Sequence, residues 1–283
     1  VVIVWLTLVG VALAESGSVL PAGALVGYTG VGVSTFATGA GPQLRDRQVR
    51  SRLDLYGAWG LGRRVQVSVD APVVYNTVIP IGSRGPCPGE GDWCAPVFTV
   101  GEAGVHARFG ALTGPVRVVV GAGVRGDPWN LATRDRWTNA GLGTTSAVGS
   151  LVVEPALPAG GLLAYAHYGR VLTRAPGAAV PGDVIAGGVE GRGTHRAVTL
   201  EVGLSGLARM GGVAYGDAWL DVWYDSPDRW AALNYRELKA RLKASVALSD
   251  RSGLHVSAGR VLVVANGPRD ATDVAIGVHT YVP

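Results

Sequence analysis

Two pairs of side chains in this 283-residue chain have types and spacing suited to chemistry. His255 and Ser257 stand two apart in HVSAGR, a pairing in which an imidazole could take the hydroxyl proton and leave serine as a nucleophile. Cys87 and Cys94 bracket PCPGEGDWC. In an exported chain two cysteines are expected to pair, here as a staple within one loop, and a metal site is the poorer reading because no His accompanies them. A third motif, Gly121 to Gly126 (GAGVRG), matches the GxGxxG form that cradles a dinucleotide. That fold needs a helix opening on the glycines, whereas Asp127-Pro128 follows at once, so these glycines read as small residues of a strand. The stretch from Gly211 to Asn234 gathers Trp219, Trp223, Tyr224 and Trp230 with Asp217, Asp221, Asp225 and Asp228. Aromatic faces beside carboxylates could hold a cationic or sugar-like solute, or they could simply pack a loop over what lies beneath. His255 and His279 read as a solvated pair, and neither a metal nor a cofactor is expected.

What these residues can do depends on the elements that carry them, and the chain's main signal is a period of two. Arg64 to Val73 reads RVQVSVDAPV, with Val65, Val67, Val69, Ala71 and Val73 on one face and Arg64, Gln66, Ser68 and Asp70 on the other. Such a strand has one apolar and one polar side. Strands are expected near 24–34, 46–60, 63–76, 98–110, 115–126, 144–157, 161–172, 184–194, 197–210, 235–249, 253–265 and 272–282, about twelve in all. Connections after the even strands are short, whereas 77–97, 127–143 and 211–234 are long. Short turns at one end, long loops at the other and an even count describe an all-β, transmembrane, antiparallel up-and-down barrel with short periplasmic turns and long external loops.

The N-terminus agrees with export. Residues 1–14, VVIVWLTLVGVALA, carry no charge and end in Ala12-Leu13-Ala14 before Glu15, the small-x-small form of a signal-peptidase site. The run is shorter than the roughly 20 residues of a spanning helix. The expected organisation is therefore a signal peptide at 1–14 and a barrel over 15–283, in the outer membrane of a Gram-negative bacterium. No later stretch has the length and apolarity of a membrane helix, and the formal charge of +4 is spread along the chain, which leaves no footprint for nucleic-acid binding.

The charges say which face points inward. In Arg236 to Leu248 the even positions Leu238, Ala240, Leu242, Ala244, Val246 and Leu248 are apolar, while Glu237, Lys239, Arg241 and Lys243 share the other parity. A Lys or Arg facing lipid at mid-membrane costs roughly 2–4 kcal/mol, so these four are expected to face a wet lumen. The competing reading is an amphipathic helix, since Leu238, Leu242 and Val246 are also four apart. The same parity argument assigns Arg50, Arg52, Asp54, Arg64, Asp70, Glu102, Arg108, Arg117, Glu190, Arg192 and Glu201 to the lumen, with His106, Arg125 and Arg209 beside them. Any one of them could be a rung in a rigidifying ion-pair ladder. So many charges in a soluble apolar core would be prohibitive without pairing. Trp59, Phe109 and Tyr75 fall on the apolar parity at strand ends, as interface girdles would. Arg260 breaks parity in its strand, which points to a bulge or another register.

Tyr56 to Tyr75, YGAWGLGRRVQVSVDAPVVY, resembles the strand-turn-strand signature of outer-membrane proteins in the family named for the meta-cleavage pathway of phenol degradation. The matching residues are Tyr56, Gly57, Arg63 and Pro72-Val73. The resemblance implies a transporter-like barrel, sometimes encoded with pathways for aromatic compounds. The chain departs from barrels of this kind at its end, Tyr281-Val282-Pro283, where they usually carry an aromatic residue. HVSAGR also faintly resembles the His-x-Ser of outer-membrane phospholipase A, a barrel that acts on surrounding lipid. Here Ala258 stands where that family continues with Asn, and parity sends His255 and Ser257 to the lumen.

The expected function is passive or facilitated diffusion of small solutes, hydrophobic or aromatic compounds among them, with no chemical step. The alternatives are a lipid hydrolase and a structural barrel without conductance. Expected partners are outer-membrane lipid and lipopolysaccharide, a small solute of unknown identity, and the barrel assembly machinery.

Overall fold

The structure, a computed structural model, describes residues 18–37, 47–79, 95–129, 143–157, 160–172, 182–210, 236–265 and 271–283. The predicted signal peptide, Cys87 and Cys94, and the aromatic residues Trp219, Trp223, Tyr224 and Trp230 lie outside them.

Thirteen strands follow one another: β1 (Leu25–Ala37), β2 (Arg47–Gly60), β3 (Val65–Ile79), β4 (Val97–Val100), β5 (Ala103–Thr113), β6 (Val116–Gly126) and β7 (Thr145–Leu157), then β8 (Gly160–Val171), β9 (Asp183–His195), β10 (Val198–Met210), β11 (Arg236–Ser249), β12 (Ser252–Ala265) and β13 (Thr272–Val282). Successive strands pair antiparallel except β4 and β5, which both pair with β3, and β1 pairs with both β2 and β13, so the sheet closes on itself. Closure leaves only the four-residue β4 paired on one side alone, and a lipid environment requires such closure because no water is there to satisfy free backbone groups.

The expected strand at 98–110 is two segments. Lower β3 (Val65–Asp70) pairs with β5, and upper β3 (Val73–Asn76) pairs with β4. The Gly101 N–H donates to the Pro72 carbonyl at the changeover. Because β4 and β5 share one place, thirteen strands fill twelve positions around the barrel. Arg236 to Ser249 is strand β11, not a helix.

The distribution of side chains is inverted relative to a soluble protein. Outward Leu238 is 40% exposed, whereas its inward neighbour Lys239 is 2% exposed. Val31, Val33, Leu53, Leu55 and Val69 lie outside, and Arg50, Arg52, Asp54 and Asp70 lie inside. Trp59, Phe109 and Tyr75 all face outward. Arg260 is exposed on the outer face. A bulge does occur in β12, at Leu262 between the Lys239–Val261 and Leu238–Val263 pairs, but it falls after Arg260 and so does not turn that residue inward.

The turns at 61–64, 114–115, 196–197 and 250–251 gather at one end with the segment before β1 and the end of β13. The β9–β10 turn is only Arg196-Ala197, and Arg196 takes a left-handed backbone, φ 54°. That conformation costs a non-glycine residue about 1–2 kcal/mol. Arg196→Gly is therefore expected to raise the unfolding free energy by about 1 kcal/mol and Arg196→Val to lower it, as read from urea unfolding midpoints in detergent micelles.

Candidate functional site

The polar face of the strands forms the inner wall of the barrel, and its charges are joined in rows set by register. Gly104 on β5 stands between Asp70 on β3 and Arg125 on β6, and the Arg125 guanidinium donates to the Asp70 carboxylate across it. Gly203 on β10 stands between Glu190 on β9 and Arg241 on β11, and those two pair across it. Strands lie about 4.8 Å apart, so partners two strands apart are separated by about 9.6 Å of backbone. Long side chains bridge that distance only by lying flat on the wall, and a Cβ on the middle strand would obstruct them. On Gly203 it would press on the Glu190 side chain, and on Gly104 it would meet Asp70, His106 and Arg125. A third pair, Lys239 to Asp273 at 2.8 Å, runs diagonally past Gly259, where a Cβ would overlap both partners.

Other rows need no intervening glycine. Glu201 on β10 lies directly between Arg192 and Lys243, with nitrogen–oxygen distances of 3.5 and 3.2 Å. Arg117 reaches Glu154 across β6 and β7 at 3.2 Å. Arg52 donates to Asp54 two residues along its own strand at 2.8 Å, and His106 lies 3.3 Å from Asp70. Arg50 is buried with its guanidinium 5.9 Å from the Phe36 ring centre. Arg108 and Glu237 are buried inside, and Glu102 is buried at the break between β4 and β5.

Arg64 is not on the wall. The β2–β3 turn extends through it, and both Arg63 and Arg64 are exposed. The alternation that assigned Arg64 to the lumen continues past the end of the strand, which begins at Val65. Buried with the expected charges are Glu154, Asp273, Asp127, Gln48, Asn76, Tyr28, Tyr56 and Tyr165, none of them assigned to the lumen from sequence. Parity alone could have found Glu154, which shares a face with Ser150 and Val152, and Asp273, which shares one with Ala275 and Gly277.

Apolar clusters also face inward among these charges. Toward the long-loop end Phe36, Ala186, Leu207, Val261 and Ala271 pack together. Toward the short-turn end Val119, Val152, Leu163 and Tyr165 form one cluster, and Tyr28, Tyr56 and Ala58 another.

The motifs of the sequence take their places in this wall. The glycines of GAGVRG lie in β6, where Gly121 sits close to Ser150 and Arg108 and Gly123 sits beneath His106. His255 is buried on the inner face, stacked on Tyr28 with ring centres 5.1 Å apart. Ser257 shares that face, so the pair points away from the bilayer, on the wrong side for lipid hydrolysis. Among the described residues no group of His, Cys, Asp and Glu could hold a metal ion.

No protein-family model matches the chain, and no curated protein does. Among solved structures, the COG4313 outer membrane channel from Pseudomonas putida F1 is similar with a TM-score of 0.73 and 14% identity, over 94% of this chain and 98% of that one. The translocator domain of the autotransporter NalP from Neisseria meningitidis is similar with a TM-score of 0.51 and 11% identity, over 98% and 93%. The likeness is one of fold, and the fold is the transmembrane β-barrel of the bacterial outer membrane.

If the glycine-bridging rows carry stability, a neutral change should act like a charge deletion. Glu190→Gln removes a charge-assisted hydrogen bond and is expected to cost about 1.5–3 kcal/mol. Gly203→Val keeps both charges but blocks the route between them and is expected to cost about 1–3 kcal/mol. Combining the two should cost less than their sum, measured by urea unfolding of the micelle-folded barrel.

Proposed function

We propose that the chain is an outer-membrane channel that passes small solutes by diffusion, with no chemical step. The single observation that supports this most strongly is the closed barrel whose inner wall carries paired charges while its outer wall is apolar. The charged belt would set ion preference. The apolar clusters around Phe36 and around Val152 suit solutes with a hydrophobic or aromatic part, in line with the family resemblance of Tyr56 to Tyr75.

The same reading includes export through cleavage after Ala14, assembly by the barrel-inserting machinery, and a Cys87–Cys94 staple in an external loop. Trp219, Trp223, Tyr224 and Trp230 would pack over the external mouth. Arg170, Arg236 and Arg260 face outward and are exposed on β8, β11 and β12, where lipopolysaccharide phosphates are their proposed partners.

Planar-bilayer recording tests the channel. Discrete conductance steps are expected. Arg241→Ala with Lys243→Ala should move the reversal potential under a KCl gradient toward the potassium potential, because two positive charges leave the wall. Silent insertion of a folded barrel would contradict the proposal.

A further inference from the structure

The apolar outer wall of the barrel is grooved over the seam of β1 and β13. At that seam the inward positions are Gly30, Gly32, Ala275 and Gly277, and the Tyr28 side chain lies so close behind Gly30 and Gly277 that a Cβ on either would overlap it. So little bulk on the inner side leaves room for the wall to bow inward. Outside, the groove has a volume of about 600 Å³, within the range of roughly 300–1,000 Å³ found for sites that hold small molecules. Val31, Val33, Leu53, Val274 and Ile276 line it, and Tyr75 and Phe98 stand at its β3–β4 side.

Toward the long-loop end the groove gives way to a polar row. Arg260 on β12 is paired with Thr272 on β13, and Thr272 with Thr35 on β1. All three occupy outward positions, and Arg260 is exposed. On β1 and β13 the row lies two residues beyond the Val33–Val274 pair. The two threonine hydroxyl oxygens are 3.1 Å apart, so one hydroxyl proton serves the bond between them and the other is left for an outside acceptor. Among the described residues no carboxylate stands on the outer face of β11, β12, β13, β1 or β2; Glu237, Asp273 and Asp54 are all buried on the inner side. The row therefore presents a positive charge and a hydroxyl donor, which is the chemistry of an anion site. Its height fits a headgroup. Arg260 is the eighth residue beyond Ser252, where β12 begins; at about 3.3 Å a residue and a tilt of about 40° it stands about 20 Å above the short turn, near the top of an apolar band about 25 Å tall. An arginine facing lipid is costly at mid-membrane and tolerated at that level.

We propose that the row and the groove together form a binding site for one lipid A of the outer leaflet: a phosphate rests on Arg260 and the Thr35–Thr272 hydroxyls, and an acyl chain lies in the groove beneath. The juxtaposition of a cationic row with an apolar trough in line below it selects an anionic lipid, and the external level of the row selects the outer leaflet. This deepens the lipopolysaccharide contact proposed for Arg260 above and rests on it, adding the seat for an acyl chain. The site lies across the β1–β13 pairing that closes the sheet, so bound lipid A braces the closure.

The test titrates the micelle-folded barrel with purified lipid A and counts bound lipid by native mass spectrometry. It compares the natural sequence with Arg260→Glu, with Ile276→Trp, which fills the groove, and with Val189→Trp on β9, away from the groove. All three side chains are exposed on the outer wall, and the β content of each barrel is checked by circular dichroism. One saturable lipid A per barrel is expected, with Kd raised about tenfold in Arg260→Glu and in Ile276→Trp and unchanged in Val189→Trp. Weakening by Arg260→Glu alone would leave the phosphate contact standing and overturn the groove as the seat of the acyl chain. Equal binding by all four proteins would overturn the contact and the seat together. Phosphatidylglycerol bound as tightly as lipid A would overturn lipid A as the occupant.

Discussion

The structure depends on ion pairs that lie flat across a glycine. Asp70 to Arg125 over Gly104 and Glu190 to Arg241 over Gly203 each join strands two places apart. The arrangement satisfies two requirements at once. A charge on the barrel's inside needs a partner in a region of reduced dielectric, and a lumen of twelve strands has little width for long side chains projecting toward its axis. Glycine on the middle strand lets the pair form along the wall. The high glycine content of the chain, 43 of 283 residues, is thus in part a consequence of the charges, since a glycine inside a strand otherwise weakens it.

The outer face follows from the same alternation. Once Lys239, Arg241 and Lys243 are turned inward, Leu238, Leu242 and Val246 must face out, and the strand can sit in lipid without burying a charge there. The inner wall is not uniformly polar, however. Phe36, Leu207 and Val261 at one end and Val119, Val152 and Leu163 at the other interrupt it with apolar patches, beside which Arg209 and the Arg117–Glu154 pair also face inward.

Much of this was legible from residue order because period two records a strand's two faces directly. Glu237 to Lys243 alternate as a strand with its charges inward, although the apolar spacing of four also fits the amphipathic helix that the structure excludes. Arg64 shows where that reasoning stops: alternation does not mark a strand's end, so it carried into an exposed turn. The break at Gly101–Glu102 was hidden for a related reason. Val97 faces inward on odd parity while Glu102 and Gly104 face inward on even parity, and Gly101 has no side chain to reveal the slip. The pairs across glycine were illegible in principle, since Glu190 and Arg241 are 51 residues apart and only the register of β9, β10 and β11 makes them neighbours. The inward apolar clusters are illegible for another reason: an apolar residue on the inner parity looks no different in sequence from one that faces lipid.

In this barrel the charged parity faces inward and the apolar parity faces outward. The most direct measurement is a spin-label scan of Leu238 to Ala244, one position at a time, in a Cys87→Ser, Cys94→Ser background reconstituted in lipid. Collision with lipid-soluble oxygen should peak at 238, 240, 242 and 244, and collision with a water-soluble nickel chelate at 239, 241 and 243. The opposite phase, or a period near 3.6 residues, would contradict the account.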